Sequence, residues 1–161
     1  MTVSSTTTTF KTMGKAASTP IGGIRFDYLM AGLAASVIGG LYLDGWAHSH
    51  GRVDKTFFTP WHGVIYSGFL VAALFLLATF VRQRKQSLPM PEGYGLSLIG
   101  VGLFLMGGVA DLIWHSYLGI EANLSAEYGT PHLVLAAAGI LITTGPLRAA
   151  WLAKREDRIS V

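Results

Sequence analysis

Four stretches of this chain stay apolar for about twenty residues each, the length a helix needs to cross the hydrocarbon core of a bilayer. They run over Tyr28–His48, Trp61–Val81, Tyr94–Tyr117 and Pro131–Trp151. In lipid the backbone polar groups must be satisfied within the segment, so such runs read as helices. Composition agrees. Of 161 residues, 51% are hydrophobic and 13% charged, against about 25% charged in a soluble domain. The expected fold is all-α and integral to the membrane, a four-transmembrane-helix bundle. The chain is long enough for one such bundle and no more.

Local signals mark the helix ends. Pro60 and Pro131 open the second and fourth spans, where proline is tolerated in a first turn, and Thr59 and Thr130 before them suit an N-cap. "SLPMPEGYG" is a turn-rich linker, and Pro146 predicts a kink inside the fourth span. Residues 1–24 are polar and low in complexity and read as a disordered cytoplasmic tail. They lack the layout of a cleaved signal peptide, so the first span is expected to act as its own insertion signal. Orientation follows from the basic residues. Lys11, Lys15, Arg25, Arg82, Arg84, Lys85, Arg148, Lys154, Arg155 and Arg158 flank one set of span ends, and only Arg52 and Lys55 the other. Both termini are therefore expected in the cytoplasm of a bacterial-type inner membrane, with loops 49–60 and 118–130 outside. Trp46, Phe57, Phe58, Trp61, Trp114, Tyr117 and Tyr128 would form the outer aromatic belt, with Trp151 inside. The +3 charge resides in these flanks and forms no stripe, so nucleic acid is not an expected partner.

The two outer segments resemble each other. Asp44-x-x-x-His48 matches Asp111-x-x-x-His115, 67 positions on. Ser49 and Ser116 follow the histidines, and Thr59-Pro60-Trp61-His62 matches Thr130-Pro131-His132. Gly51 with Asp54 parallels Gly119 with Glu121, and Gly39-Gly40 parallels Gly107-Gly108 with a one-residue offset. The chain thus reads as a first two-helix repeat over 25–81, a cytoplasmic linker over 82–93, a second two-helix repeat over 94–152 and a cytoplasmic tail over 153–161. Each copy starts and ends on the same side, so the repeats are parallel and imply a pseudo-twofold axis along the membrane normal. The glycine pairs would permit close helix approach near that axis.

Residues i and i+4 share a helix face, so Asp44 points with His48, and Asp111 with His115. His62 and His132 start the returning helices at similar depth. All five histidines lie at the outer span ends. Each repeat thus offers one carboxylate and two imidazoles, a ligand set accepted by zinc, non-haem iron and copper. With no cysteine in the chain, thiolate sites and disulfides are excluded. The expected metal ligands are Asp44, His48, His62, Asp111, His115 and His132, holding a transition metal ion (copper, zinc or iron) in a mono- or dinuclear centre. Ionisable residues in a span are costly and tend to be functional. The alternatives are polar helix ends, haem ligation by opposed histidines, and proton transfer. His50 has no counterpart in the second copy and reads as a loop residue or an extra ligand. Asp54 and Glu121 are candidates for partners of the ligands, and Glu127 for a surface charge. Asp27 reads as an inner-end helix residue, and Tyr42 and Tyr66 as packing residues. No catalytic base can be named.

The Asp-x3-His…His pattern resembles a copper site in the C subunit of particulate methane and ammonia monooxygenases. Thirteen residues separate His48 from His62, and sixteen separate His115 from His132, where that family has about twelve. The resemblance covers one motif per repeat and implies copper among the candidate metals. The "DLIWH" and "TPH" segments are also similar to those of small bacterial four-span membrane proteins. The overall reading is an integral membrane metal-binding protein, as an oxidoreductase or hydrolase subunit or as a metal-handling accessory. Membrane lipid and a homo-oligomer or larger membrane complex are the expected partners.

Overall fold

The computed structural model describes residues 21–52, 58–118 and 128–159, the last six without their side chains. The expectations for Lys11, Lys15, Asp54, Lys55, Phe57, Gly119, Glu121 and Glu127, for most of the N-terminal tail, and for the side chains of Lys154, Arg155 and Arg158 lie outside the described residues.

Helices account for the chain in order: α1 Ile24–Ser49, α2 Pro60–Lys85, α3 Gly95–Leu118, α4 Thr130–Thr143 and α5 Gly145–Ile159. Four stretches are long and apolar enough to cross a membrane, with α4 and the start of α5 forming one span, Thr130–Ala153. The protein is an all-α, multi-pass membrane bundle. The helices are apolar on every side, as spans are. Only a narrow stripe of each is buried, at helical spacing. On α1 it passes through Met30, Ala34, Val37 and Gly40, and on α3 through Ser97, Val101, Phe104 and Gly107. On α2 it passes through Ile65, Phe69, Ala73 and Leu76, and on α4 through Leu135, Ala138 and Ile142. Leucines and isoleucines on the other faces, such as Leu70, Leu74, Ile99 and Ile140, point outward.

The bundle is assembled from two hairpins. α1 packs on α2 and α3 on α4, while the seams between hairpins, α1–α4 and especially α2–α3, are thinner. This corrects the expected role of the glycine pairs. Gly40 admits the Ile65 backbone, whose Cα lies 2.9 Å from where a Cβ would stand, and Gly107 admits Leu135 at 3.1 Å. Both close contacts lie within a hairpin. Gly39 meets nothing, and only Gly108 faces the other repeat, through the Tyr66 ring.

At the end away from the histidines, Pro146 does more than kink the fourth span; it divides α4 from α5. Proline has no N–H for the carbonyl four residues back, Ile142 O, and a stranded carbonyl is costly in a bilayer. The Ser97 hydroxyl covers the gap, 3.0 Å from Leu141 O and 3.3 Å from Ile142 O. Arg148 donates to Ser97 Oγ, Leu141 O and Gly93 O, each at 2.8 Å. Tyr94, fully buried, donates to Asp27 Oδ1 at 2.7 Å and ties the α3 entrance to the first turn of α1. Asp27 thus has a partner at the end away from the histidines.

Gly93 carries this junction. Its φ is +81°, and an added Cβ would stand 2.5 Å from the Ala149 backbone nitrogen. Gly93→Ala is expected to destabilise the bundle by about 2–3 kcal/mol, from strain and overpacking together. Gly102→Ala, where nothing lies within 4 Å, is expected to be neutral or stabilising by up to about 1 kcal/mol. Unfolding midpoints in detergent would check the pair.

Candidate metal centre

The four core stripes end in the six residues singled out by the repeat. On α1, Gly40 leads to Asp44 and His48, and on α3, Gly107 leads to Asp111 and His115, each step one helical turn. His62 begins the buried stripe of α2, and His132 sits in the first turn of α4. Because α1 and α3 finish where α2 and α4 start, all six gather at one end of the bundle.

They form two triads of one carboxylate and two imidazoles, Asp44–His48–His62 and Asp111–His115–His132. In each, the three ligand atoms lie within 4.8 Å of one another, so each group could hold a metal ion. The finer distances fit one. Asp44 Oδ2 is 3.6 Å from His48 Nε2, and Oδ1 is 3.5 Å from His62 Nε2. Asp111 Oδ1 is 3.3 Å from His115 Nε2 and 3.2 Å from His132 Nε2. Ligands at 2.0–2.2 Å from a tetrahedral ion stand about 3.3–3.6 Å apart. Asp44 Oδ1 and Asp111 Oδ1 are buried, yet no hydrogen bond within the described residues reaches either. A carboxylate close to two imidazole nitrogens, through one oxygen in Asp111 and through both oxygens in Asp44, suits a cation held among the three.

The two triads are neighbours. The ring centroids of His48 and His62 are 6.4 Å apart, those of His62 and His115 are 6.3 Å apart, and those of His115 and His132 are 5.6 Å apart. A histidine of one triad, His62, thus stands beside a histidine of the other, His115. Five of the six residues line a single chamber of about 330 Å³, floored by Leu41, Ile65, Phe104 and Leu135. Burial is unequal. Asp111 is 1% exposed and His132 is the most open ligand, with 19% of its side chain exposed.

Several sequence expectations meet the geometry differently. The Thr59 side chain caps α2 by accepting from the His62 backbone N–H at 3.1 Å, which fixes the ring's starting position. Thr130 does not cap α4, because that helix starts one residue earlier relative to its proline and Gly129 takes the cap position. His50 belongs to neither triad. Its ring stacks on Trp46 at 4.6 Å, and Nδ1 lies 2.8 Å from Trp46 O. Tyr42 is exposed, and Phe58, Tyr117 and Tyr128 point outward as belt residues would. Tyr66 is more than a packing residue, for it lines the chamber. Its signal was present in the sequence: it follows His62 by four positions and so shares the ligand's face.

No protein-family model, curated protein or solved structure matches the chain. Geometry therefore carries the functional reading.

The unequal capping has a measurable consequence. Thr59→Ala is expected to cost about 1 kcal/mol of stability. Thr130→Ala, which removes no cap, is expected to stay within about 0.5 kcal/mol of the parent. Chemical unfolding in detergent would compare them.

Proposed function

We propose that the protein binds two transition metal ions, one in each Asp–His–His triad, facing a common chamber at the extracytoplasmic ends of its helices. The observation that carries this reading is the 3.2–3.6 Å spacing of the carboxylate oxygens from both imidazole nitrogens, found in each repeat. Three protein ligands leave at least one position of a tetrahedral ion open, the arrangement of reactive rather than purely structural sites. That position would face the chamber, where a small ligand could reach both ions.

The donor set of nitrogen and oxygen supports zinc, iron or copper. The resemblance of the motif to the monooxygenase copper site favours copper among them. Every ionisable residue lining the chamber except Tyr66 belongs to a triad. A hydrolytic reaction with a separate general base is therefore less supported than oxygen or electron chemistry at a redox ion. The same observation favours a second reading, a metal-handling subunit without catalysis, whose ions would exchange readily with a chelator. A haem between either imidazole pair would have to displace the carboxylate that both approach. The orientation rests on the basic flanks, ten residues against two.

Element analysis of the detergent-purified protein after metal titration, with a visible spectrum of the same sample, tests the proposal. The expected result is about two ions per chain, no Soret band, and about one ion after either Asp44→Ala or Asp111→Ala. A chain that retains and takes up no metal would overturn the reading. Loss of both ions in either variant would establish one interdependent dinuclear unit.

A further inference from the structure

We infer that the metal chamber is entered sideways from the bilayer, through the α2–α3 seam, and that its substrate is a single-chain membrane amphiphile with an oxygen-bearing head. The inference rests on the metal reading for what happens at the head, and on the following geometry for the rest.

A groove of about 610 Å³ runs along the outward face of the α2–α3 seam, within the 300–1,000 Å³ of small-molecule sites. Apart from Phe58 and Thr59 at its outer end, its walls belong to the spans α2 and α3, so in a membrane most of its length faces the lipid phase. It adjoins the chamber, and His62, Tyr66 and Phe104 line both. A second groove of about 610 Å³, on the outside of α3 and α4, touches no ligand residue. Lipid-facing concavity alone therefore does not single out the seam; contact with the metal site does.

The polar atoms of the groove are segregated. Thr59, His62 and Tyr66 lie at the site end, beside Phe58, Pro60, Val109 and Leu112, and Phe69, Phe104 and Leu105 line the deeper part with no polar side chain. From His62 to Phe69 the helix descends about 10 Å toward the middle of the span. The gradient matches a bilayer amphiphile in its normal orientation, with the head at the interface and the chain inward. A head placed between Tyr66 and His62 would reach the open metal position, and an oxygen atom there is an acceptable ligand for the candidate ions.

The repeat supplies an internal comparison. Aligned by their ligands, Tyr66 corresponds to Ala136, Phe69 to Gly139, Phe104 to Val37 and Gly108 to Leu41. At the α1–α4 seam Leu41 reaches Gly139, 3.6 Å from where a Cβ would stand. At the α2–α3 seam the leucine is replaced by Gly108, and the Tyr66 ring lies against it at 3.1 Å. Beside the chamber, one seam is plugged by an aliphatic side chain and the other is closed by a tyrosine that can carry a hydrogen bond, with the Phe69–Phe104 stack deeper in the seam.

The test uses the full chain in phosphatidylcholine vesicles with palmitic acid bearing a mid-chain diazirine. After photolysis, adducts are mapped by peptide mass spectrometry. Phe69 and Phe104 are 4% and 1% exposed, so labelling there requires the probe in the groove, while outward-facing Leu74 reports general lipid contact. The expected result is labelling at Phe69 and Phe104 that excess hexadecanol competes away and hexadecane does not. Gly63→Phe fills the groove from a position with nothing within 4 Å. It is expected to cut that labelling about tenfold, the value of about two methylenes of contact. Val109→Trp fills it from the other wall and should act alike, whereas Ala110→Phe, in the unconnected groove, should not. Unlabelled Phe69 and Phe104, or labelling indifferent to both filling variants, would overturn lateral entry, and equal competition by hexadecane would overturn the oxygen head. The readout needs no metal, so a failure of metal binding shows separately in the element analysis.

Discussion

A carboxylate inside a membrane bundle must be matched where it stands, because neither lipid nor bulk water can solvate it cheaply. Asp111, almost without exposure, meets this constraint by approaching His115 on its own helix and His132 on the next. Asp44 does the same with His48 and His62. Each triad therefore spans one hairpin, and its polar groups come together only when that hairpin is closed. The close packing at Gly40 and Gly107 lies one turn inward from the aspartates. There the returning helix is brought near enough for its histidine to reach the carboxylate. Tight backbone approach and ligand convergence are two consequences of the same hairpin geometry.

The opposite end solves a different problem with the same economy. Pro146 breaks the fourth span, and the freed carbonyls are taken up by Ser97 and Arg148. The bend keeps Arg148 turned inward, against Gly93 and Ser97, rather than into lipid. With both ends fixed by polar contacts, the apolar middle needs only shape complementarity, such as the Phe69–Phe104 stack at 4.2 Å across the α2–α3 seam.

Much of this was legible from the residues. Span number follows from length and hydropathy, which bilayer thickness makes nearly deterministic. The two triads were legible because duplication repeats the identity of their residues and the i,i+4 spacing of each Asp–His pair. What escaped was decided by contacts between helices. α1 starts at Ile24 and α2 runs on to Lys85, because Asp27 finds Tyr94 and the basic last turn of α2 suits a helix C-terminus. The threonines before the two prolines look alike, yet only Thr59 caps, since cap position depends on where the first helical turn begins. Which glycines admit a neighbour depends on facing, which the doublets leave open. Tyr66 was readable as sharing the face of His62 but not as lining a chamber, since that depends on the other hairpin.

The two halves agree where they bind and differ where they open. The triad residues are matched pair by pair across the repeat, whereas the positions one to two turns inward exchange bulk: Leu41 against Gly108, Ala136 against Tyr66, Gly139 against Phe69. Holding a cation asks for donors at fixed spacing and is indifferent to which seam is filled. Departures from symmetry concentrated beside the chamber thus concern access. Leu41 on Gly139 closes one side with contacts made of dispersion alone. Tyr66 against Gly108 closes the other with a ring that borders both the chamber and the lipid-facing groove. A chamber with two equivalent seams would admit lipid from both sides or from neither. Breaking the equivalence makes one entrance, and puts the chamber's one ionisable side chain outside the triads at its threshold.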